Sequence, residues 1–299
     1  MNSIFSLSRR KYLLAAAGLT IAALFPPSVV LAEQPATLAA QLSALEASAN
    51  GRLGVALIDS GSSRQLSYRG EERFAMASTF KALAAAAVLQ RSVEQPALLN
   101  KRIVYQQSEL ITYSPVTEKH LQQGMTVAEL CAAAVELSDN TAGNILLREI
   151  GGPQGITQLA RRLGDNQTRL DRREPALNSA IPGDVRDTST PLAMAGNLNQ
   201  LALGKALPSA QQQLLIQWLK QSKTGAQSIR AGVPQGWQVG DKTGAGGYGT
   251  TNDLAILWPP QGKPLVLAVY FTQHNPQAEA RRDVLASATR LVLAAWEKQ

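Results

Sequence analysis

The chain has 299 residues, 45% of them hydrophobic, and a formal net charge of +7 at pH 7. A chain of this length and composition can bury a large core in one or two domains, as soluble globular proteins do. Its Lys and Arg residues are scattered rather than clustered, and only 5% of residues are aromatic, which argues against a nucleic-acid surface. Cys131 is the only cysteine, so the sequence excludes an intrachain disulfide.

The N-terminal segment has the features of an export signal. Arg9-Arg10-Lys11 precedes an apolar run over residues 13–25, and Val30-Leu31-Ala32 ends on a small residue suited to cleavage. We therefore predict a signal peptide over residues 1–32, export to the periplasm and a mature chain of residues 33–299. The apolar run is short beside the roughly 20 residues that span a membrane, so no membrane anchor is expected. The Arg9-Arg10 pair leaves twin-arginine export and an ordinary basic leader equally open.

Both ends of the mature chain carry strand signals. Five apolar segments bounded by turn residues are strand candidates: residues 53–58, 65–68, 237–242, 251–258 and 265–272. An amphipathic helix is predicted over residues 35–50, and another follows Pro276. This order predicts an α+β fold, an α/β sandwich, in which a five-stranded antiparallel sheet is built from both chain ends and covered by the terminal helices. Residues 33–75 and 226–299 would form this sheet domain.

The middle of the chain differs in kind. Residues 76–225 are rich in Ala and Leu and almost free of strand signals, which predicts a helical domain inserted into the sheet domain. Residues 81–89 are apolar on all sides after Lys81, as expected of a helix buried in the protein. Residues 166–190 break the helical pattern with charges, prolines and a glycine, and predict a long ordered loop of the omega type.

Three short strings carry the chemistry: Ser78-Thr79-Phe80-Lys81, Ser138-Asp139-Asn140 and Lys242-Thr243-Gly244. Each string alone is commonplace, and the chain repeats two of them, as Ser8-Arg9-Arg10-Lys11 and Lys223-Thr224-Gly225. The first repeat lies in the predicted leader, and the second follows a helical segment instead of lying on strand-like sequence. The order and contexts of the first three strings therefore indicate a serine acyl-transfer site.

Ser78 and Lys81 provide a nucleophile and a base. If Ser78 opens the buried helix, Lys81 lies one turn along on the same face, where its amine reaches the serine hydroxyl. Desolvation near a second cation such as Lys242 would lower the pKa of Lys81 and favour the neutral base. The backbone N–H groups of Ser78 and Ala245 would form an oxyanion hole, in which one donor is worth about 3 to 4 kcal/mol.

The second and third strings supply the remaining groups. Ser138 offers a hydroxyl that relays a proton to the leaving amine, and Asn140 an amide that holds the substrate and Lys81. Lys242 and Thr243 are expected to bind a substrate carboxylate. We interpret Asp139 as a capping acceptor for the helix that follows.

With these motifs, residues 33–299 resemble a class A serine β-lactamase. The resemblance implies the serine β-lactamase/penicillin-binding fold, and the loop Arg172-Arg173-Glu174-Pro175-Ala176-Leu177-Asn178 matches the one that separates this class from penicillin-binding transpeptidases. It implies that Glu174 is the base of deacylation, that Asn178 helps it hold the water, and that Arg172 pairs with Asp187 to close the loop. It leaves open whether Lys81 or Glu174 takes the proton from Ser78 during acylation.

Within class A the chain looks most like the cefotaximase, or extended-spectrum, type. Residues 244–253, which begin Gly244-Ala245-Gly246-Gly247-Tyr248, and the pair Arg281-Arg282 carry this likeness. The resemblance implies that Tyr113 lies at the mouth of the site, that Gly244 and Ala245 border the substrate, and that Arg282 supplies a charge for its carboxylate.

Two positions depart from that type. Ala245 stands where it commonly has serine, and Ala77 where it commonly has cysteine. A hydrogen bond to a charged group is worth about 1.5 to 3 kcal/mol. We therefore expect penicillins and early cephalosporins as substrates, and the sequence leaves the turnover of oxyimino-cephalosporins open.

The function implied is hydrolysis of the β-lactam amide through a Ser78 acyl-enzyme, giving antibiotic resistance, by a monomer that needs no cofactor. The rival functions are a D-alanyl-D-alanine peptidase or transpeptidase and a β-lactam sensor, both of which acylate without fast turnover. Glu174 argues against the peptidase, and the lack of a membrane segment after the leader argues against the sensor. A metal-dependent enzyme is disfavoured because His120, His274 and Cys131 are too few and too scattered for a zinc site.

Overall fold

Strand-forming sequence from both chain ends meets in one sheet in the computed structural model, which describes residues 37–62 and 64–298. The strands, in chain order, are β1 (Gly51–Asp59), β2 (Gln65–Tyr68), β3 (Phe74–Ala75), β4 (Arg102–Ile103), β5 (Met125–Thr126), β6 (Thr188–Ser189), β7 (Gln238–Gly246), β8 (Thr250–Trp258) and β9 (Leu265–Gln273). The sheet order is β2-β1-β9-β8-β7, with every neighbouring pair antiparallel. The predicted five-stranded sheet is therefore confirmed.

The helices surround this sheet. In chain order they are α1 (Leu38–Ser48), α2 (Phe80–Glu94), α3 (Val127–Glu136), α4 (Asn140–Glu149), α5 (Pro153–Arg162), α6 (Pro191–Ala202), α7 (Ser209–Lys220), α8 (Ile229–Gly232) and α9 (Arg282–Glu297). The two terminal helices that the sequence predicted are α1 and α9, and the predicted buried helix is α2.

Alternation along β1 divides the core between the two faces of the sheet. Leu53, Val55 and Leu57 belong to a hydrophobic cluster with α1 and α9, whereas Ala56 and Ile58 belong to a second cluster with the central helices. Successive side chains of a strand point to opposite faces, so one strand contributes to both clusters. The sheet is thus buried on both sides, as the sandwich prediction requires.

The middle of the chain is mainly helical. Residues 80–89 of α2 are all buried, including the charged Lys81, which places the helix at the centre of the second cluster. The strands in this part of the chain, β4, β5 and β6, have two residues each and were too short to recognise from the sequence. Cys131 on α3 is fully buried, as predicted, and burial raises the pKa of its thiol.

The predicted strand at residues 237–242 extends further, as β7, to Gly246. Its backbone stays paired with β8 through Gly244 opposite Asn252 and Gly246 opposite Thr250, so the hairpin turn is confined to residues 247–249. This extension carries the Lys-Thr-Gly string and Ala245 on one regular strand. It fixes their spacing relative to the rest of the sheet.

The structure leaves two of the sequence predictions untested. The signal peptide over residues 1–32 lies outside the described residues, and no helix in the described part is long and apolar enough to cross a membrane. Residues 36–299 form one compact unit, so the division into a sheet domain and a 76–225 helical domain stays a prediction.

Candidate active site

Ser78 lies in a tight turn that leads into α2. Residues Ala77–Thr79 form a 3-10 turn, and α2 begins at Phe80, so the prediction that Ser78 opens the α-helix is off by two residues. Ala77 has a φ of 45°, in the left-handed region, so the α-helix cannot extend back through it, and Ser78 and Thr79 complete the 3-10 turn before α2. Such strain is common where a fold holds a reactive group in place. The turn keeps Lys81 within reach of Ser78.

Ser78, Lys81 and Glu174 form a buried cluster. The Ser78 hydroxyl lies 3.0 Å from the Lys81 Nζ and 3.0 Å from the Glu174 Oε1, and these two charged atoms are also 3.0 Å apart. The side chains of Lys81 and Glu174 are fully buried. The geometry gives the hydroxyl a donor on one side and an acceptor on the other, which is what a nucleophile that must lose a proton requires.

Lys81 is held by two further short hydrogen bonds. Its Nζ donates to the Ser138 carbonyl oxygen at 2.8 Å and to the Asn140 Oδ1 at 2.6 Å. A Cβ on Gly143 would lie 2.8 Å from the Lys81 Cε, so this glycine makes room for the side chain. Burial lowers the pKa of Lys81, while the Glu174 carboxylate opposes that change.

Lys242 approaches from the sheet side. Its Nζ donates to the Ser138 hydroxyl at 3.0 Å and to the Thr243 carbonyl oxygen at 2.7 Å. Burial, and then the charge of Lys81, lowers the pKa of Lys242 to about 7. The sequence predicted that Lys242 would lower the pKa of Lys81. In the structure, burial is the main cause of the lowered pKa of both lysines. The positive charge of Lys81 lowers the pKa of Lys242 further.

The Ser138-Asp139-Asn140 string divides into two roles. Asp139 caps α4, because its Oδ1 accepts from the Ala142 N–H at 2.8 Å, as the sequence predicted. Ser138, just before the cap, has a left-handed φ of 60°, which lets its carbonyl and its hydroxyl both face the lysines. Asn140 donates to the Thr112 carbonyl, which fixes its amide while the Oδ1 holds Lys81.

The loop carrying Glu174 is held on both sides. Asn178 donates its amide to the Glu174 Oε2, so the two residues that the resemblance paired are in contact. The Asn144 side chain clamps the Glu174 backbone, donating to its carbonyl at 2.9 Å and accepting from its N–H at 2.9 Å. Asn144 was not predicted from the sequence. It is one of several polar residues in α4, and nothing in the sequence reveals a partner 30 residues away.

The expected Arg172–Asp187 ion pair is present at the base of this loop. The Asp187 carboxylate is fully buried and accepts from the Arg172 Nε. Its other oxygen accepts from the backbone N–H groups of Asp171 at 2.7 Å and Arg172 at 2.8 Å. The three donors to this buried carboxylate tie the two ends of the loop together.

Strand β7 passes close to the turn that holds Ser78. A Cβ on Gly244 would lie 2.8 Å from the Met76 carbonyl oxygen and 3.1 Å from the Ser78 nitrogen, so only glycine permits this approach. Asn252 on β8 donates to the same Met76 carbonyl at 3.1 Å, a contact that the sequence analysis missed. The approach brings Gly244, the residue before Ala245, beside the Ser78 backbone nitrogen.

These groups border a cleft of about 330 Å³. The predicted residues that line it are Ser78, Tyr113, Ser138, Asn140, Asn178, Thr243, Gly244, Ala245 and Arg282. Tyr113 is 55% exposed at the cleft, consistent with its predicted place at the mouth. Three predicted site residues are buried next to the cleft and do not line it: Lys81, Glu174 and Lys242. Each is hydrogen-bonded to a residue that lines the cleft.

Five further residues that were not predicted as site residues line the cleft: Thr224, Ser228, Thr251, Asn252 and Ala280. Thr224 belongs to the Lys223-Thr224-Gly225 string that the sequence analysis set aside. That string does not repeat the catalytic one, but its threonine lies 2.6 Å from Thr243, hydroxyl to hydroxyl. The sequence did not predict this contact, because it arises only when the segment after α7 packs against β7.

Within residues 37–62 and 64–298, no three His, Cys, Asp or Glu side chains gather into a group that could hold a metal ion. His274 is exposed and Cys131 is buried on α3.

The comparisons with known proteins agree with this geometry. A family model described as the beta-lactamase enzyme family matches residues 37–296. Beta-lactamase CTX-M-97 of Escherichia coli is 54% identical over 277 residues, covering 92% of this chain and 95% of the relative. Beta-lactamase OXY-1 of Klebsiella oxytoca is 57% identical over 252 residues, covering 84% and 87%.

Solved structures show the same likeness. A beta-lactamase from Desulfarculus baarsii has a TM-score of 0.85 at 52% identity, covering 88% of this chain and 97% of the other. One from Burkholderia ambifaria has a TM-score of 0.84 at 50% identity, covering 86% and 99%. The resemblance to a class A enzyme with relatives of the cefotaximase type is thereby confirmed. The chain belongs to the beta-lactamase enzyme family, in its class A.

Proposed function

We propose that this β-lactamase opens penicillins and early cephalosporins through an ester on Ser78, which a water activated by Glu174 then hydrolyses. The observation that carries the proposal is the buried cluster in which the Ser78 hydroxyl contacts the Lys81 amine and the Glu174 carboxylate, each at 3.0 Å. One hydroxyl thus has a base available for each half of the reaction. The product is an inactivated antibiotic, so the activity gives resistance.

In acylation the Ser78 Oγ forms a bond to the lactam carbonyl carbon, and the C–N bond of the ring breaks. The backbone N–H groups of Ser78 and Ala245 stabilise the oxyanion between these events. The proton leaves Ser78 to either Glu174 or Lys81, both within hydrogen-bond distance. The lowered pKa of Lys81 favours its neutral form, and the Glu174 carboxylate already accepts from the hydroxyl.

The departing ring nitrogen needs a proton, which Ser138 is placed to deliver. The Ser138 hydroxyl lies 3.0 Å from the Lys242 Nζ and 3.4 Å from the Lys81 Nζ. A hydroxyl between two amines can pass its proton to the nitrogen and take one from a lysine. Lys242, Thr243 and Arg282 at the same end of the cleft would hold the substrate carboxylate.

In deacylation a water attacks the ester carbon, and the bond between that carbon and Ser78 breaks. Glu174 takes a proton from the water and passes it to the departing Ser78 Oγ, which restores the hydroxyl and the carboxylate. The Asn178 amide bonds the Glu174 carboxylate and faces the cleft, so it can orient the water. Asn144 holds the Glu174 backbone, which keeps the carboxylate against Ser78.

The deciding experiment measures benzylpenicillin hydrolysis by purified residues 33–299 with a chelator present, while intact mass is read during the steady state. We expect many turnovers per enzyme without metal. A single stoichiometric adduct on Ser78 with negligible release would instead establish a peptidase or sensor, and the role of Glu174 would be wrong.

The rate of acylation, measured in a variant that does not deacylate, would also show whether Glu174 or Lys81 takes the Ser78 proton. In Glu174→Gln, the rate of adduct formation in a single turnover is expected to fall by about 10²- to 10⁴-fold if Glu174 is the acylation base. A rate close to that of the wild type assigns the step to Lys81.

We further propose that the protein is exported to the periplasm as a monomer after loss of residues 1–32. The basic triplet Arg9-Arg10-Lys11 and the small residue Ala32 support cleavage there. The mass of the protein recovered from the periplasm checks the cleavage site, and light scattering checks the monomer. A mass that retains the leader would overturn the predicted cleavage. A dimer at micromolar concentration would overturn the monomer.

A further inference from the structure

A chain of hydroxyls runs from a buried carboxylate to the cleft. The Ser222 hydroxyl donates to the Asp241 Oδ2 at 3.1 Å and lies 3.5 Å from the Thr224 Oγ1. The Thr224 Oγ1 in turn lies 2.6 Å from the Thr243 Oγ1. Asp241 is fully buried, whereas Thr224 and Thr243 line the cleft. The chain therefore links a buried carboxylate on β7 to a hydroxyl group that lines the cleft.

The buried end of the chain fixes the direction of one proton. An ionised carboxylate only accepts hydrogen bonds, and Asp241 is paired with the Arg230 guanidinium. The Ser222 proton is therefore committed to Asp241, and the Ser222 oxygen can only accept from Thr224. A Cβ on Gly225 would lie 2.0 Å from the Asp241 Oδ2, so the loop is pressed against this carboxylate.

Thr224 has a single proton and two possible acceptors. It donates either to Ser222, at 3.5 Å, or to Thr243, at 2.6 Å. If it donates to Ser222, Thr243 donates to Thr224 and presents only lone pairs to the cleft. If it donates to Thr243, the Thr243 proton is free to point into the cleft. In both orientations, the Thr224–Thr243 contact at 2.6 Å is the stronger of the two hydrogen bonds.

An anionic substrate selects between these two orientations of the hydroxyl protons. A carboxylate accepts hydrogen bonds and is repelled by lone pairs. It therefore binds only when the Thr243 proton points into the cleft and Thr243 acts as a donor. We propose that Thr224 is a positioning residue for substrate carboxylates, because its hydroxyl donates to Thr243 and turns the Thr243 proton toward the anion. This role rests on the proposed function, since it acts on the substrate of that reaction. Only the weak contact at 3.5 Å is lost when the proton turns.

The test compares Thr224→Val with Thr224→Ser. Valine has the shape of threonine without its hydroxyl, and serine keeps the hydroxyl. We expect the KM for benzylpenicillin to rise about five-fold in Thr224→Val with kcat unchanged, the effect of about one hydrogen bond, and to stay at the wild-type value in Thr224→Ser. The methyl ester of benzylpenicillin, assayed as a competitor, is expected to keep its inhibition constant in both variants.

Ser222→Ala provides the matched control, because it removes a hydroxyl of the same chain that does not contact Thr243. We expect its KM to stay within about two-fold of the wild type. An unchanged KM in Thr224→Val, or an equal loss for the acid and its ester, would overturn the role of Thr224. A wild-type protein that does not turn over benzylpenicillin would instead overturn the proposed function, so the two failures are distinguishable.

Discussion

The two ends of the cleft are built differently. At the reaction end, Ser78, Lys81 and Glu174 are 7%, 0% and 4% exposed and bond one another directly. At the carboxylate end, Arg282 is exposed and Thr243 is half-buried, and both line the open cleft. One end is organised before substrate arrives, and the other remains accessible to solvent.

This difference separates chemistry from recognition. A buried cluster acts in a low dielectric, where a misplaced charge or hydrogen bond is costly and changes the rate of reaction. Exposed groups are screened by water and contribute modestly to binding. We therefore expect variants at the reaction end to lower kcat, and variants at the carboxylate end to raise KM.

The largest effect is expected for Glu174→Ala. Removal of the base leaves acylation partly intact, so a penicilloyl adduct accumulates on Ser78 and kcat falls by about 10²- to 10⁴-fold. Intact mass spectrometry during benzylpenicillin turnover measures the adduct. Glu71→Ala is the matched control, because Glu71 is an exposed loop acid and its loss is expected to change nothing. Wild-type turnover by Glu174→Ala would end the deacylation role.

The same contrast explains what the sequence predicted well. The reaction end consists of residues within short strings, and a helical spacing of three places Lys81 beside Ser78 without further information. The resemblance added Glu174 and Asn178 through a single seven-residue loop, and the two residues are in contact. The strands were predicted because alternation and turn residues are local signals.

The contacts that the sequence did not predict are those that depend on the folded chain. Asn144 meets Glu174 across 30 residues, and Thr224 meets Thr243 across 19. No periodicity or spacing records such a pairing, because it arises only when α4, the loop and β7 are packed together. The start of α2 was missed for a local reason, since the turn that begins with the left-handed Ala77 has no clear sequence signal.

The next largest effect tests how tightly the reaction end is built. In Gly143→Ala the new methyl group would lie 2.8 Å from the Lys81 Cε, so the amine must shift. We expect kcat for benzylpenicillin to fall by about 10- to 100-fold. Gly196→Ala, in α6, adds the same methyl group where nothing lies within 4 Å, and should instead stabilise the protein by about 0.5 to 1 kcal/mol.

Thermal unfolding and steady-state kinetics of both glycine variants check this pair. An unchanged kcat in Gly143→Ala would mean that the Lys81 side chain can move without harm, and the contrast between a rigid and an open end would be lost.

A pH profile tests the boundary between the two ends, where Lys242 lies. Its pKa is lowered to about 7, so its charged fraction falls as the pH rises through that value. If the charge binds the substrate carboxylate, the KM for benzylpenicillin should rise about ten-fold between pH 6 and pH 8. Lys242→Arg should abolish the rise, because a guanidinium stays charged over this range. A KM that rises equally in the Arg variant would assign the titration to another group.

The smallest effect is expected at the open end, for Arg282→Ala. Arg282 begins α9 at the edge of the cleft and is exposed, so a carboxylate contact there is worth at most about 1 kcal/mol. We expect the KM for cephalosporins to rise by up to about five-fold with kcat and Tm unchanged. Arg281→Ala is the control, because Arg281 is paired with Asp283. A lower Tm with an unchanged KM would make Arg282 a structural residue of α9, and recognition would then rest on Lys242 and Thr243.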